Sequence, residues 1–493
     1  MATASSKSSA SLDRRTLLIL LAAALVSLGV YLIVSAFTFR LGFPLDDSWI
    51  HLTYARNFAL RGEWAFVPGA PSAGSTAPLW SALLAIGFLF RLGPYVWTYF
   101  LGLLLLFALA CLAELAARRI LPAYRLSIPV VGLFFAFEWH FVWAAGSGME
   151  TLLHASILTL VLLLLTRPSP PPLTLGLLTA LSIWVRPDGL TLLGPVVLTL
   201  LLREKRAATL TRFFIGFGLL FGLYLLFNLS LSGNPFPNTF YAKQAEYAPW
   251  QAKPLLEKLG LTFLQILTGP SILLAPGVAL WLARSIRARD WGALAGMVWA
   301  AGFVLIYALQ IKPYQHGRYL IPVMPIFFLW GLLGALDFLR EGATRMRSRV
   351  MRVGWAAAIV ALTLAFWGLG ARSYGLDVAY IESEMVTVAQ WVDANLPSDA
   401  LIAAHDIGAL GYFDHHQLID LAGLVSPEVI PFLRDEAQVA AYLDARGADY
   451  LIVFPHWYPT LTANARLVFS SGGAFSGLLG GENLTVYDWG ASR

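Results

Sequence analysis

The stretch Gly42-Phe-Pro-Leu-Asp-Asp-Ser-Trp-Ile-His-Leu-Thr-Tyr-Ala-Arg-Asn57 follows the first long apolar segment of the chain and contains two adjacent carboxylates, Asp46 and Asp47. The rest of the chain is strongly apolar, since 58% of its 493 residues are hydrophobic and 13% are charged. Soluble globular domains carry about 25% charged residues, so this composition predicts a polytopic membrane protein. An acidic pair beside a bilayer is costly and therefore points to a functional role.

Apolar segments long enough to cross a bilayer as a helix, about 20 residues each, occur about eleven times. They cover residues 16–36, 95–116, 126–145, 151–166, 171–186, 189–202, 212–231, 261–283, 291–311, 318–338 and 352–370. The stretch from Pro78 to Phe90 is apolar but short and contains a glycine, so we expect it to lie in the membrane interface or to re-enter the membrane. The expected fold class is an α-helical polytopic membrane protein.

The placement of basic residues predicts the orientation in the membrane. With Pro78–Phe90 in the interface, nineteen of the 34 Lys and Arg residues fall in short segments on the side of the N-terminus. The positive-inside rule puts that side in the cytoplasm and the C-terminus outside, in a plasma (inner) membrane. The pI near 9.2 then reports topology, and no nucleic-acid partner is expected. Cleavage near Ala36 is the alternative for the first segment, although its apolar run exceeds the usual 7–15 residues.

The composition changes after Gly370, where acidic residues, histidines and asparagines return. Helical periodicity covers Tyr380–Asn395, short strands are predicted at 400–404, 417–420 and 450–454, and a helix is predicted from Asp435 to Arg446. This order predicts a small extracytoplasmic α/β domain. The expected organisation is a cytoplasmic tail at 1–15 with disordered residues 2–11, a transmembrane domain at 16–372 with a first outer loop at 37–94, and the outer domain at 373–493.

With this topology the polar motifs meet on the outer side of the membrane. They are Asp46-Asp47 with Arg56-Asn57, Ser147-Gly-Met-Glu150, Val185-Arg-Pro-Asp188, Pro237-Asn-Thr-Phe-Tyr-Ala-Lys243, His316-Gly-Arg318 and Ile419-Asp-Leu-Ala-Gly-Leu-Val-Ser-Pro427. Lys, Arg and His bind phosphate groups, and an Asp can accept a proton from a hydroxyl. The combination predicts transfer of a group from a lipid-linked phosphate to a hydroxyl outside the cell.

The acidic residues also have a structural interpretation. Asp46 or Asp47 can cap the helix that follows, and because sequence neighbours point in different directions, at most one of them is expected to act as a base. Glu150 and Asp188 can begin later helices, where the helix dipole favours a carboxylate. Arg186 and Asp188 can form a structural ion pair at a helix break.

The cationic residues and the possible metal ligands also have alternative interpretations. Lys243, His316 and Arg318 can extend to lipid headgroups rather than bind a substrate phosphate. The acidic pair can hold a divalent cation such as Mg²⁺, Mn²⁺ or Ca²⁺, although the sequence contains no closed ligand set. The histidines of the outer domain lack metal-ligand spacing. The single cysteine, Cys111, excludes an internal disulfide.

Taken in order, these motifs resemble those of the integral membrane glycosyltransferases of the GT-C fold, which use polyprenyl-phosphate sugars and carry an acidic pair in the first outer loop. Across nearly the whole chain, the sequence is similar to the terminal arabinofuranosyltransferases of mycobacterial arabinan synthesis. The resemblance implies a polyprenyl-phosphate sugar donor and a glycan or other cell-envelope acceptor outside the bilayer.

The resemblance also implies roles for individual residues. Asp46 matches the first acidic residue of the pattern and is the expected base, and Asp47 is expected to orient the substrate. Three cations are expected to hold the donor phosphate: Lys243, His316 and Arg318. The remaining motif residues are expected to contact the substrates: Arg56, Asn57, Glu150, Arg186, Asp188, Asn238 and Tyr241. The sequence differs from these relatives in two respects: Asp188 stands where they carry Glu, and the outer domain is shorter. The sugar of the donor can therefore be a pentose or a hexose.

Two other classes of protein fit parts of the sequence. A transporter or flippase of lipid-linked sugars also needs cations at the membrane boundary, but such proteins commonly show internal repeats and midplane polar groups, and neither is evident. A glycan-binding protein without catalytic activity leaves the clustering of carboxylates and cations near the membrane unexplained. Transfer is therefore the preferred interpretation.

Overall fold

The computed structural model of the protein describes residues 11–122, 124, 126–204, 207–340 and 346–490. Seven helices in these ranges are long and apolar enough to cross a membrane, and further apolar helices are shorter. The seven are Arg14–Thr38, Pro94–Ile120, Ala207–Ser232, Ser271–Ala288, Trp291–Gln310, Gln315–Arg340 and Met346–Asn395. The protein is thus a mostly helical, multi-pass membrane protein. The number of eleven spans stays a prediction.

The helical part has seventeen helices in the described ranges. The first ten are α1 (Arg14–Thr38), α2 (Asp47–Arg61), α3 (Pro78–Leu89), α4 (Pro94–Ile120), α5 (Val130–Phe137), α6 (Trp139–Gly146), α7 (Thr151–Leu165), α8 (Pro172–Val185), α9 (Leu193–Glu204) and α10 (Ala207–Ser232). The others are α11 (Asn238–Glu246), α12 (Ala248–Gln251), α13 (Leu255–Leu267), α14 (Ser271–Ala288), α15 (Trp291–Gln310), α16 (Met324–Arg340) and α17 (Met346–Ile381). A short hairpin, β1 (Ala65–Val67) and β2 (Ala70–Pro71), follows α2.

Two of the expected spans are interrupted. The segment 126–145 breaks at Glu138, whose carboxylate accepts hydrogen bonds from the backbone amides of His140 and Phe141 at 3.0 and 3.3 Å and so caps a new helix, α6. The segment 261–283 ends at Leu267 and restarts at Ser271. At Glu138 the apolar pattern predicted a continuous helix because it does not register a carboxylate that caps a helix from inside a hydrophobic run.

The last membrane helix continues far beyond the predicted end at 370. It passes through a π-helical turn (Glu382–Val386) into α18 (Thr387–Asn395), so the domain boundary expected at 372/373 lies inside a continuous helix. The two carboxylates of the turn are bound by other elements. Glu382 accepts from Arg40 Nε at 2.7 Å, and Glu384 accepts from the backbone amide of Leu484 at 2.9 Å. These long-range contacts explain why polar residues did not end the helix.

Five basic residues used to predict the orientation lie outside the described residues: Lys7, Arg125, Lys205, Arg206 and Arg345. Of the predicted disordered segment 2–11, only Ser11 lies within them.

The C-terminal part contains a five-stranded sheet in the order β4-β3-β5-β7-β6. The predicted strands are present as β3 (Leu401–Ala404), β4 (Gln417–Asp420) and β5 (Tyr450–Val453), and they run parallel to one another. Antiparallel strands β6 (Arg466–Ser470) and β7 (Thr485–Asp488) complete the sheet. The accompanying helices are α19 (Gly408–Phe413), α20 (Glu436–Arg446), α21 (Pro459–Thr462) and α22 (Ala474–Leu478).

The sheet shares a hydrophobic core with the first loop. Trp49 of α2 and Trp80 of α3 are buried in one cluster with Ile402 of β3 and Val486 of β7. A second cluster lies among the membrane helices. Because burial of apolar surface is the main stabilising term in folding, this shared core fixes the sheet against the loop that carries the acidic pair.

Candidate active site

A cavity of about 430 Å³ lies between the helical part and the sheet. The lining residues with charged or hydrogen-bonding side chains include Asp46, Asp47, His51, Arg186, Lys243, Glu246, Tyr247, Tyr314, Arg318, Tyr319, Asp377, His405 and Asp406. The structure therefore brings five of the residues selected from the sequence, separated by up to 272 positions, to one space: Asp46, Asp47, Arg186, Lys243 and Arg318. The cavity is the candidate active site.

Asp46 is buried and joins the first loop to the sheet. Its carboxylate accepts hydrogen bonds from the backbone amides of Gly408 and Ala409, at 2.7 and 2.8 Å, at the start of α19. Among the described residues it makes no capping hydrogen bond to its own helix, α2. Burial raises the pKa of Asp46 to about 6, although the two amides act to lower it. The carboxylate is therefore held in place and more basic than that of an ordinary Asp.

Asp47 points to the cations instead. Its Oδ2 accepts from Arg318 Nη2 at 2.7 Å, and 36% of its side chain is exposed. Burial acts to raise the pKa of Asp47, but the charges of Arg318 and Lys243 bring it below the usual value. The two neighbouring carboxylates thus have different surroundings and different basicities.

Three cations surround one tyrosine. The hydroxyl of Tyr319 accepts hydrogen bonds from Lys243 Nζ and Arg318 Nη2, both at 2.8 Å. The guanidinium carbon of Arg186 lies 5.3 Å from the centroid of the Tyr319 ring, within the range of cation–π attraction. Tyr319 was not selected from the sequence, because an aromatic residue near the membrane interface is ordinary. Its position next to Arg318 was the one available signal.

Arg186 is held by carboxylates below the cavity. It donates from Nη1 to Glu150 Oε1 at 2.7 Å and pairs with Asp188 at 3.3 Å. Asp188 also lies 3.0 Å from His154 Nε2 and hydrogen-bonds with the hydroxyl of Tyr307. Arg186 lines the cavity, whereas Glu150 and Asp188 are not among the described residues that do. The two acids therefore orient the arginine.

His316 lies in a strained turn. Gln315, His316 and Gly317 have consecutive positive φ values of 49°, 58° and 65°, a conformation that costs free energy for residues other than glycine. The ring Nε2 of His316 lies 2.7 Å from Asp377 Oδ2, which also accepts from Trp143 Nε1. Asp377 lines the cavity, and His316 is not among the described lining residues. Asp377 was not selected from the sequence, which placed it in the outer domain without a role.

Arg56 and Asn57 bind backbone groups. Arg56 donates to the carbonyls of Tyr412 and Gly411, at 2.7 and 3.0 Å, at the end of α19. Asn57 Nδ2 donates to two carbonyls in β1, at 2.9 and 3.0 Å. Neither residue is among the described residues that line the cavity. In this structure their side chains hold the loop together and attach it to the sheet.

Asn238 and Tyr241 lie on α11 beside the cavity. Asn238 Nδ2 donates to the carbonyl of Leu424, after β4, at 3.1 Å. The ring of Tyr241 packs edge to face against Phe240, with 5.4 Å between centroids. Neither is a lining residue in the described part of the chain. Asn238 thus fixes the helix that carries Lys243 against the sheet.

The sheet adds residues that were not selected from the sequence. His405 and Asp406 follow β3, and Trp457 follows β5. His405 Nδ1 hydrogen-bonds with the hydroxyl of Tyr458 at 2.7 Å, and its ring packs edge to face on Trp457. Burial lowers the pKa of His405 to about 4, so its ring is neutral. Burial, together with the acidic pair, raises the pKa of Asp406.

The described residues contain no group of three or more His, Cys, Asp or Glu side chains placed to hold a metal ion. In this arrangement the carboxylate of Asp46 accepts two amides and that of Asp47 binds Arg318. Dependence on a divalent cation stays a prediction from the sequence.

Residues 377–487, which include all of the sheet except the last residue of β7, match the model of a family described as a domain of unknown function, DUF8728. No curated protein matches the sequence.

Three solved structures resemble the whole fold. ArnT from Cupriavidus metallidurans bound to undecaprenyl phosphate is 16% identical with a TM-score of 0.58, and the match covers 97% of this chain and 98% of that one. The Archaeoglobus fulgidus oligosaccharyltransferase is 11% identical with a TM-score of 0.57, over 90% and 70% of the chains. The mycobacterial arabinofuranosyltransferase AftD is 16% identical with a TM-score of 0.52, over 98% of this chain and 42% of that one.

These three structures are GT-C glycosyltransferases. At such identities the likeness establishes the fold alone. The chain has the GT-C fold that its motifs predicted.

Proposed function

We propose that the protein is a membrane glycosyltransferase that moves a sugar from a polyprenyl-phosphate-linked donor to a hydroxyl of an extracytoplasmic glycan or other cell-envelope acceptor. The observation that carries the proposal is the convergence of Asp46 and Asp47 with Lys243 and Arg318 on one cavity. The solved ArnT structure with undecaprenyl phosphate supports the donor class, since it has the same fold.

The donor phosphate would lie at Lys243 and Arg318. Among the described residues Lys243 has no carboxylate within ion-pair distance, and its Nζ binds the hydroxyl of Tyr319. An anionic phosphate supplies the missing charge, and Arg318 can add a directional hydrogen bond. The ion pair of Arg318 with Asp47 keeps the guanidinium turned to the cavity before the donor binds. His316 would act through Asp377 rather than by contact.

Asp46 is the proposed general base. Its pKa of about 6 leaves it ionised at neutral pH yet more basic than Asp47, and each carboxylate oxygen has a lone pair beyond the one that accepts an amide. General-base assistance contributes about 10²–10⁴-fold to a rate. Asp47 would orient Arg318 and the substrate.

In the proposed reaction the acceptor oxygen bonds to the anomeric carbon while its proton passes to Asp46. The bond between the anomeric carbon and the phosphate oxygen breaks, and its electron pair leaves with the polyprenyl phosphate. Lys243 and Arg318 stabilise the charge that develops on that phosphate, a term that is often the largest in enzymes. The sugar would lie over Arg186, with Glu150 and Asp188 fixing the arginine. A pentose and a hexose are both compatible with these groups.

We also propose eleven membrane spans, a cytoplasmic N-terminus and an extracytoplasmic sheet, in a plasma (inner) membrane. The basic residues of the short loops support this orientation through the positive-inside rule. It places the cavity at the outer face, where a lipid-linked donor and an envelope acceptor meet.

The test is a donor panel. Purified protein in nanodiscs is incubated with short-chain polyprenyl-phosphate pentoses and hexoses and a mixture of envelope glycans, and released polyprenyl phosphate is measured. We expect release with one donor and a loss of at least 100-fold in Asp46→Asn, whose melting temperature serves as the folding control. Release by Asp46→Asn at the wild-type rate would remove this residue from the mechanism, and no release with any donor would count against transfer.

A transporter gives a different result in the same materials. Nanodiscs do not separate two compartments, so transport across the membrane produces no signal in them, whereas transfer of the sugar releases polyprenyl phosphate. Movement of an intact donor across sealed vesicles without release of polyprenyl phosphate would favour the transporter.

A further inference from the structure

The part of the sheet that faces the cavity is the end at which its parallel strands finish. His405, Asp406 and Ile407 follow β3, Ala422 and Leu424 follow β4, and Phe454 and Trp457 follow β5; all seven line the cavity. In open α/β sheets the carboxyl ends of parallel strands are the usual place for ligands. The matched domain of unknown function therefore presents a ligand-binding edge to the candidate active site.

The chemistry of this edge differs from that of the helical wall. The helical part supplies Lys243, Arg318 and Arg186, whereas the lining residues of the sheet include the acidic Asp406 and, among those described, no lysine or arginine. An anionic phosphate is attracted to the cations of the helical wall and, among the described residues, meets no cation on the sheet side. We therefore expect the acceptor, which does not carry the phosphate charge of the donor, to bind on the sheet side.

Three side chains give the sheet side the features of a sugar subsite. Asp406 lines the cavity, and its buried Oδ2 has no hydrogen-bond partner among the described residues, so none of them uses the lone pairs of this oxygen. Trp457 is 52% exposed, and its indole ring can pack against apolar C–H groups. His405 is fixed by Tyr458 and packs against Trp457. Apolar surface with a few placed polar groups is the usual make-up of a small-ligand site.

We propose that the C-terminal sheet is the acceptor-binding part of the enzyme, and that a sugar residue of the acceptor glycan stacks on Trp457 while its hydroxyls bind Asp406 and His405. This subsite rests on the proposed transfer function. It identifies the acceptor as a carbohydrate rather than a peptide or a lipid headgroup, and it gives the 377–487 domain a role. The reacting hydroxyl would extend from this subsite to Asp46, whose carboxylate is bound to α19 directly after β3.

The test compares Trp457→Ala, Trp457→Phe and Asp406→Asn with wild type at saturating donor, with acceptor concentration varied. The acceptor is the oligosaccharide that wild type glycosylates. We expect Trp457→Ala to raise the acceptor KM roughly 10- to 100-fold, in the range of aromatic hot spots, and Trp457→Phe to restore most of the affinity. His456→Ala is the matched control, since that neighbouring side chain is 76% exposed and faces Glu482; its KM should stay within about twofold.

The outcomes separate this subsite from the transfer function itself. Transfer by wild type with an unchanged acceptor KM in both Trp457→Ala and Asp406→Asn would overturn the subsite and leave the transferase intact. A peptide or lipid acceptor, with glycans inert, would overturn it as well. Absence of transfer by wild type would instead count against the function. If Trp457→Ala lowers the melting temperature, the acceptor KM of the isosteric Asp406→Asn decides: a rise supports the subsite, and an unchanged value overturns it.

Discussion

The carboxylate of Asp46 accepts a hydrogen bond from the backbone amide of Gly408, 362 residues later in the chain, at 2.7 Å. Arg56, from the helix α2 that begins directly after Asp46, binds the carbonyls of Gly411 and Tyr412 at the other end of α19. A carboxylate at the amino end and a guanidinium at the carboxyl end both suit the helix dipole. The first loop thus holds α19 at both ends and fixes the cavity edge of the sheet relative to the proposed base.

Gly408→Ala tests this attachment. A Cβ at Gly408 would overlap the carbonyl oxygen of Asp46 and come within 2.7 Å of its Oδ2, so the loop and α19 must separate. Overpacking of this kind costs about 1–3 kcal/mol. We expect a lower melting temperature and at least a tenfold loss of transfer. Gly477→Ala is the control, because nothing lies within 4 Å of its Cβ position; equal effects of the two substitutions would refute the attachment.

Arg56→Ala separates a structural role from a substrate role. The loss of two hydrogen bonds from a charged donor should lower the free energy of unfolding by about 1–3 kcal/mol, while the KM values for donor and acceptor stay near those of wild type. Thermal unfolding and steady-state kinetics give both quantities. Arg61→Ala, at the exposed end of α2, is the control. A rise of tenfold or more in either KM with normal stability would support the substrate contact that the sequence predicted.

Lys243→Ala should weaken donor binding. A hydrogen bond to a charged group contributes about 1.5–3 kcal/mol, so the Kd for a short-chain polyprenyl-phosphate sugar should rise roughly 10- to 150-fold. Binding is measured by microscale thermophoresis in detergent. Lys253→Ala removes an exposed lysine that pairs with Glu257 and should leave the Kd unchanged. Equal affinity in Lys243→Ala and wild type would mean that Lys243 extends to headgroups instead.

The rate should depend on the ionisation of Asp46. Because its pKa is raised to about 6 and the base must be ionised, kcat/KM should rise with pH through about 6 and fall about tenfold per unit below it. Asp47 raises this pKa through its charge, so Asp47→Asn should move the acidic limb to lower pH. The Asp406→Asn variant should still show a fall of kcat/KM at acidic pH, because Asp46 is the proposed base. A rate that is flat from pH 4.5 to 7.5 would exclude Asp46 as the base.

The sequence allowed the prediction of the membrane class, the GT-C fold and the positions of three strands, because these depend on local apolarity, periodicity and short motifs. It also selected Lys243 and Arg318, which meet at Tyr319. The partners of these residues could not be predicted, since hydrogen bonds such as that between Asp46 and Gly408 join positions hundreds of residues apart. The backbone partners of Arg56 in α19 likewise leave no mark in the sequence, from which this residue was predicted to contact the substrate.

The orientation of the sheet relative to the membrane helices could not be predicted from the sequence either. Strand patterns identify β3 and β5, but which end of the sheet meets the membrane part is set by the shared core around Trp49 and Ile402. That core brings His405, Asp406 and Trp457 to the cavity. Breaks such as the one at Glu138 also depend on a side chain that caps a helix inside an apolar run.

Glycosidic bond formation in detergent solution is the most direct test of the proposed transferase activity. The protein is incubated with a polyprenyl-phosphate sugar and an envelope oligosaccharide, and the mass of the oligosaccharide is measured by mass spectrometry. The Asp46→Asn and Lys243→Ala variants are assayed in parallel. We expect a mass increase of one sugar residue in wild type, a large loss of this product in Lys243→Ala, and a loss of at least about 100-fold in Asp46→Asn. Two results would contradict the proposal. One is an oligosaccharide that folded wild-type protein leaves unmodified with every pentose and hexose donor. The other is an equal amount of product with Asp46→Asn and with wild type.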